Sequence, residues 1–317
     1  MHLRALVTAL VVLTTTAELR AGSIDVVGGD VRTARVVRSA LKTVKPLAGH
    51  VWLGKLRGVG GGRDTLVYVP EAIDVARTID VVIYMDGVGS FDEAAMKSRH
   101  IASMARLHGN FVYIAPDAPS SSLGSRESRN EHWEAGCADR VCEGGYAAPG
   151  DFLVFLDEVR TKIAATLGVE RAVLDVSVSL IGFSRGGKGV LRAVEQLAAA
   201  KFQVGGAPVR IADVVFADGN YLDNALTGTW AVLESRPESP TLTILVESGE
   251  FVEDRENNRG RALSFWKQAA PAAPRPTAEH ETSAPRLRLI PLGGGHRAIG
   301  NAAVEFLGHV APAVPTA

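Results

Sequence analysis

The sequence predicts an α/β architecture, a mainly parallel β-sheet covered by helices on both faces. Three observations carry that expectation. Short apolar, β-branched runs alternate along the chain with stretches of helical periodicity, the pattern of strands joined by crossover helices. Several runs are apolar at every position, as in Val81-Val82-Ile83-Tyr84-Met85, which marks strands buried on both faces. The runs also end in polar and glycine residues, such as Asp86-Gly87 and Asp218-Gly219-Asn220, and ligands bind at that edge of open α/β sheets.

The chain has 317 residues, a formal charge of −1 and 46% hydrophobic residues, enough for one α/β domain with an ample interior. The balanced charge leaves no basic stripe, so nucleic acid is not an expected partner. Met1-His2-Leu3-Arg4, the apolar Ala5–Leu13 and small residues around Ala17 and Ala21 read as a signal peptide over residues 1–21. An ordinary N-terminal helix is the alternative. The apolar run is too short to span a bilayer, and it holds no cysteine for a lipid anchor. The expected product is an exported protein, secreted or periplasmic, without a stable membrane anchor, in which residues 22–317 form a single domain.

From Gly22 to Pro46 the chain is polar and weakly patterned. Val51–Leu53 and Thr65–Val69 read as an antiparallel hairpin at a sheet edge, turned through the glycines of 58–62. The buried strand at Val81–Met85 is followed by a helix from about Asp92 to Leu107 and a strand at Asn110–Ile114. An irregular segment, 116–150, holds Trp133, Tyr146, Cys137 and Cys142. Loops of that length are uncommon without a function, so it is read as a substrate wall or lid, with Trp133 a candidate substrate contact. A solvated insertion is the alternative. The cysteines are close enough for a local disulfide in an exported protein, and two free thiols are the other reading.

Asp151 is read as the N-cap of a helix that places Phe152, Leu156, Val159 and Ile163 on one face. Strands follow at Val176–Phe183, Ile211–Ala217, Thr241–Val246 and Leu287–Leu292. A helix from about Asp254 carries Leu263 and Trp266, Ala269–Pro285 reads as a surface connection, and a closing helix begins near Ala298.

The chemistry concentrates at Gly182-Phe183-Ser184-Arg185-Gly186-Gly187-Lys188. A GxSxG string between a buried strand and a helix carrying Val190, Val194 and Leu197 is a nucleophile elbow, whose tight turn holds the serine clear of the sheet. Gly182 to Lys188 also fits the start of a phosphate-binding loop, but Gly189 stands where magnesium needs a hydroxyl. A serine hydroxyl needs a base, and the base an orienting acid. His296, just past the last strand on Gly293-Gly294-Gly295, is the candidate base. Glu250, after the strand ending at Val246, is the preferred acid, with Glu253, Asp254 and, one strand earlier, Asp218 as rivals. The oxyanion donors are expected at the backbone N–H of Arg185 and in the loop after Met85, at Val88 or Gly87. No His/Cys spacing for a structural metal is present.

At Leu66–Pro70, Asp86-Gly87, Gly182–Gly187, Glu250 and Gly295-His296 the chain resembles the α/β-hydrolase superfamily. More narrowly it is similar to exported polyhydroxybutyrate depolymerases and feruloyl esterases. The resemblance spans roughly 65–307. It implies hydrolysis of a small-molecule or polymeric carboxylic ester through an acyl-serine intermediate, without metal or organic cofactor. Two positions depart from the subgroup: Asp86 stands where it usually has histidine, and Arg185 where it has a small residue. Both departures are expected to fall in the pocket, with Asp86 a candidate substrate contact. A peptidase or thioesterase would use the same apparatus, and a non-catalytic binding protein on the same scaffold is the remaining alternative.

Overall fold

The computed structural model describes residues 24–28, 35, 39–41, 48–58, 64–87, 94–107, 110–116, 137–138, 141–142, 146, 148–219, 225–252 and 257–307. The signal-peptide reading at 1–21, Val88, Trp133, Glu253 and Asp254 lie outside them.

In chain order the strands and helices are β1 (Ile24–Gly28), β2 (Gly49–Lys55), β3 (Asp64–Pro70), β4 (Ile79–Met85), α1 (Ala94–Leu107) and β5 (Phe111–Pro116). Then come β6 (Cys137–Ala138), β7 (Val141–Cys142), α2 (Asp151–Leu167), β8 (Val176–Phe183), α3 (Gly186–Ala199), β9 (Gln203–Val204) and β10 (Ala207–Pro208). The last are β11 (Arg210–Ala217), α4 (Ala225–Glu234), β12 (Thr241–Glu247), α5 (Asn258–Ala269), β13 (Thr282–Ala284), β14 (Leu287–Leu292) and α6 (Gly295–Ala302).

Among the described residues ten strands form one sheet, in the order β1-β2-β3-β5-β4-β8-β11-β12-β14-β13. Strands β5, β4, β8, β11, β12 and β14 run parallel, β3 and β13 oppose them, and β2 pairs with β3 as the expected hairpin. This is the α/β-hydrolase fold. The period-2 alternation of strands splits the interior in two. Val81, Ile83 and Met85 pack with Phe152, Val159, Val190 and Leu263 under α2 to α5. Val82 and Tyr84 pack with Met96, Ile101, Ile299 and Val304 under α1 and α6. Among the described residues no helix is long and apolar enough to cross a membrane.

Several local readings change. The stretch 22–46 contains β1, which adds to β2 in parallel, so the hairpin is not the sheet edge. The connection 269–285 contains β13, an antiparallel edge strand on β14. Both are short strands bonded on one side, which leaves little hydrophobic pattern to read. Asp151 is the first helical residue of α2, not its cap: Gly150 holds the cap position at φ 89°, and the Asp151 carboxylate accepts the Ala148 N–H at 2.7 Å. In the β6–β7 pair Cys137 lies opposite Cys142 in the backbone register.

A polar cluster is buried on the α1 side of the sheet. The His100 imidazole approaches the Gly300 carbonyl through Nε2 at 2.8 Å and the Tyr113 hydroxyl through Nδ1 at 2.9 Å. A carbonyl only accepts, so Nε2 carries the proton and Nδ1 accepts from Tyr113. Complete burial, opposed by the Gly300 bond and aided by the neighbouring Lys97, lowers the His100 pKa to about 4. Beside it Lys97 Nζ faces Asp86 Oδ2 at 3.5 Å, with both side chains only 1% exposed.

Two predictions follow from this cluster. The folded-state pKa of His100 is depressed, so the unfolded chain binds the extra proton. The corresponding stability is present above pH 6.5 and is lost as pH falls toward 4, by roughly 3 kcal/mol. Denaturant unfolding of wild type and His100→Phe at pH 7 and pH 4 measures it: the variant is less stable at pH 7 but loses less on acidification. Asp86→Asn removes the carboxylate facing a buried ammonium and is expected to cost about 3–5 kcal/mol. Asp86→Asn combined with Lys97→Met recovers most of that loss in the same assay.

Candidate active site

The parallel strands end in steps, and each step is tied to the next. Ser184 N–H donates to the Ala217 carbonyl at 3.1 Å, Asp218 N–H to Leu245 at 2.8 Å, and Ser248 N–H to Leu292 at 2.8 Å. The β8–β11 register ends with Phe183 opposite Ala217, so the next residues, Ser184 and Asp218, leave the sheet side by side. Both adopt left-handed backbone, Ser184 at φ 53° and Asp218 at φ 48°. Such geometry costs a non-glycine residue about 1–3 kcal/mol and persists only where its surroundings enforce it.

At Ser184 the enforcement is packing. α3 starts at Gly186, leaving only Ser184 and Arg185 between strand and helix. A Cβ on Gly186 would run into the Met85 carbonyl oxygen. The turn is too short for a phosphate loop, and its amides are engaged: Gly187 N–H bonds to Ser184 O at 3.2 Å and Lys188 N–H to Arg185 O at 3.1 Å. The nucleotide-binding alternative therefore lacks the ring of inward N–H groups it requires.

α6 brings His296 to this point. Gly294 and Gly295 take φ values of 95° and 78°, turning the chain from β14 into a helix that lies back across the strand ends. The Phe183 ring stacks on the His296 imidazole with centroids 4.4 Å apart, and Gly300, one turn on, sits against the same ring. His296 Nδ1 meets Asp218 Oδ2 at 2.5 Å. The side chain of Asp218 is 8% exposed and that of His296 38%, so the carboxylate is sequestered while the imidazole keeps an open edge. A carboxylate only accepts, so Nδ1 carries the proton, and in that tautomer Nε2 is the basic nitrogen.

The acid beside the imidazole is thus Asp218, not Glu250. Glu250 is exposed beyond the end of β12, and the side chain bonded to the imidazole comes from β11. Sequence reasoning also missed Asn258, the first residue of α5, whose Nδ2 donates to Asp218 Oδ1 at 2.6 Å. An asparagine in a polar helix start carries no signal that separates it from an ordinary capping residue.

The donor side is revised as well. Gly87 N–H points into the protein and donates to Asp86 Oδ1 at 2.7 Å, so it does not supply an oxyanion donor in this structure. What Gly87 contributes is space: a Cβ there would lie 2.8 Å from Ser184 Oγ and 2.7 Å from Arg185 N, between the nucleophile and that amide. Asp86, with its side chain 1% exposed and facing Lys97, is buried and does not serve as a substrate contact. Arg185 follows Ser184 at the turn, as expected, while Val88 and Trp133 fall outside the described residues. Among the described residues no group of three or more metal-ligating side chains occurs.

No family model matches the sequence, and no curated protein matches it. Solved structures similar to this chain include a dienelactone hydrolase from Anabaena variabilis, at 12% identity, covering 80% of this chain and 96% of that one, TM-score 0.43. A carboxylesterase from Bacillus subtilis matches at 14% identity over 87% of this chain and 93% of its own, TM-score 0.40. An arylesterase matches at 11% identity over 86% and 88%, TM-score 0.42.

Proposed function

We propose that this protein is a serine hydrolase of carboxylic esters, with Ser184 as nucleophile, His296 as base and Asp218 as the orienting acid. The observation that carries the reading is the Asp218–His296 bond beside a serine held at left-handed φ on a glycine-packed turn. Those three groups, in the chain order serine, acid, histidine, are the parts that acyl transfer requires.

The proposed steps are those of acyl transfer. His296 Nε2 takes the Ser184 hydroxyl proton as Oγ bonds to the ester carbonyl carbon. The carbonyl oxygen becomes an oxyanion in the space that Gly87 leaves open, facing the Arg185 N–H. Asp218 stabilises the imidazolium without taking its proton. The C–O bond to the leaving alcohol breaks as His296 returns the proton to it. Water then repeats the sequence against the acyl-serine and releases the acid. None of these steps calls on a metal or an organic cofactor. The signal-peptide reading of residues 1–21 supports export to the periplasm or medium, and the sequence position of 116–150 supports a part for it in shaping the ester pocket. The narrower likeness to depolymerases and feruloyl esterases rests on the sequence motifs alone.

Ser184→Ala is expected to abolish both labelling by a fluorophosphonate probe and turnover of p-nitrophenyl esters. Asp218→Asn should cost about 10³- to 10⁴-fold in kcat, since the wrong tautomer of His296 is then favoured, whereas Glu250→Gln stays within about twofold of wild type. Full turnover by the Ser184→Ala protein would remove the reading.

A further inference from the structure

Asp218 has two carboxylate oxygens, and the structure engages both. Oδ2 meets the imidazole, while Oδ1 receives the Asn258 amide at 2.6 Å, and the same Nδ2 lies 3.3 Å from the Asp218 carbonyl. Asn258 opens α5, but the capping is done by its neighbour: the Asn257 side chain accepts the Gly260 N–H at 2.7 Å. Asparagine is also a poorer helix former than alanine. Helix stability therefore does not account for an asparagine at 258, and its amide is directed at the acid.

We infer that Asn258 is a positioning residue for the proposed triad, fixing the rotamer of Asp218 and the proton affinity of the Asp218–His296 pair. The inference rests on the serine-hydrolase reading for its catalytic consequence, but not for its electrostatic one. The amide N–H sets partial positive charge against Oδ1 and offsets part of the carboxylate charge. Without that donor Asp218 stabilises the imidazolium more strongly, so His296 holds its proton to higher pH. Other charged residues on the elements that meet at the imidazole are Glu247, whose Oε1 comes 3.9 Å from where a Gly295 Cβ would sit, Arg297 next in α6, Arg185 on the elbow, and Arg259 in α5, which packs on Gly249. None of these is altered by a change at 258.

The test uses the full chain as wild type, Asn258→Ala and Asn258→Asp. With p-nitrophenyl butyrate, Asn258→Ala is expected to lower kcat about tenfold while KM changes less than about twofold. The acid limb of its kcat profile moves to higher pH, and Asn258→Asp, whose carboxyl shares a proton with Asp218 and so returns a donor to Oδ1, moves it less. The His296 ring, followed by nitrogen NMR on histidine-labelled protein, titrates in the same order. That measurement decides the inference even where no ester is turned over, so its failure is distinct from failure of the hydrolase reading. An unshifted His296 titration in both variants overturns it, as does a kcat loss that matches only the loss of folded protein.

Discussion

The site depends on one strained residue. Ser184 at φ 53° is held by a turn so short that glycine is required where the turn packs on β4. The strain is offset by the ladder of strand-end bonds from Ser184 to Ala217, Asp218 to Leu245 and Ser248 to Leu292. Because the strands are parallel and in fixed register, this ladder sets the spacing of every polar group that follows a strand. A hydroxyl and a carboxylate from adjacent strands emerge next to each other without any contact between their side chains being needed to align them. The sheet is therefore the ruler of the site, and the loops supply only its chemistry.

A second support comes from beneath. Phe183 lies between the sheet and α6, stacked on His296 on one side and 6.5 Å from the Tyr84 ring on the other. Tyr84 packs edge-on against His100 at 4.6 Å, and His100 donates to Gly300 on the same helix as His296. α6 is thus fixed twice, by an aromatic face and by a hydrogen bond, both buried. Aromatic contacts of this kind contribute about 0.5–1.5 kcal/mol beyond area burial, and a buried neutral hydrogen bond about as much. Neither group touches the reacting atoms. Both limit how far the imidazole can drift from the elbow, which matters because misplacement of about 1 Å can cost on the order of 100-fold in rate.

Much of this was legible in the sequence, and what was legible shares a cause. The strands at Val81–Met85, Val176–Phe183 and Thr241–Val246 are long and apolar on both faces, so local pattern and tertiary burial agree. The elbow and His296 were legible because glycine marks backbone that no other residue tolerates well. The short edge strands were not, since a five-residue or three-residue ladder leaves too little pattern. Asp86 looked like a pocket residue because it stands after a strand end where the resembling subgroup has a histidine. Its buried partner, Lys97, sits in α1 in the polar run Lys97-Ser98-Arg99-His100. Charge pairing between two elements has no local signature in either.

The displaced acid follows from the path of α6. β12 lies between β11 and β14, so a histidine delivered after β14 has to cross the end of β12 to reach an elbow on β8. α6 makes that crossing: it packs on the end of β12 and reaches Phe183. A helix lying over the end of β12 leaves the chain that leaves that strand no direct route to the imidazole. That chain turns outward instead, through Gly249 at φ 148°, and Glu250 finishes exposed. The strand end that still faces the imidazole is that of β11, adjacent to the elbow, and its residue Asp218 is turned inward by its own left-handed backbone. An offset counted along the sequence from β12 cannot register this, because it measures distance along one strand while the choice is made by what crosses above it. The same geometry explains the company Asp218 keeps: with Oδ2 committed to the helix from one side, its other oxygen faces the start of α5, where Asn258 stands.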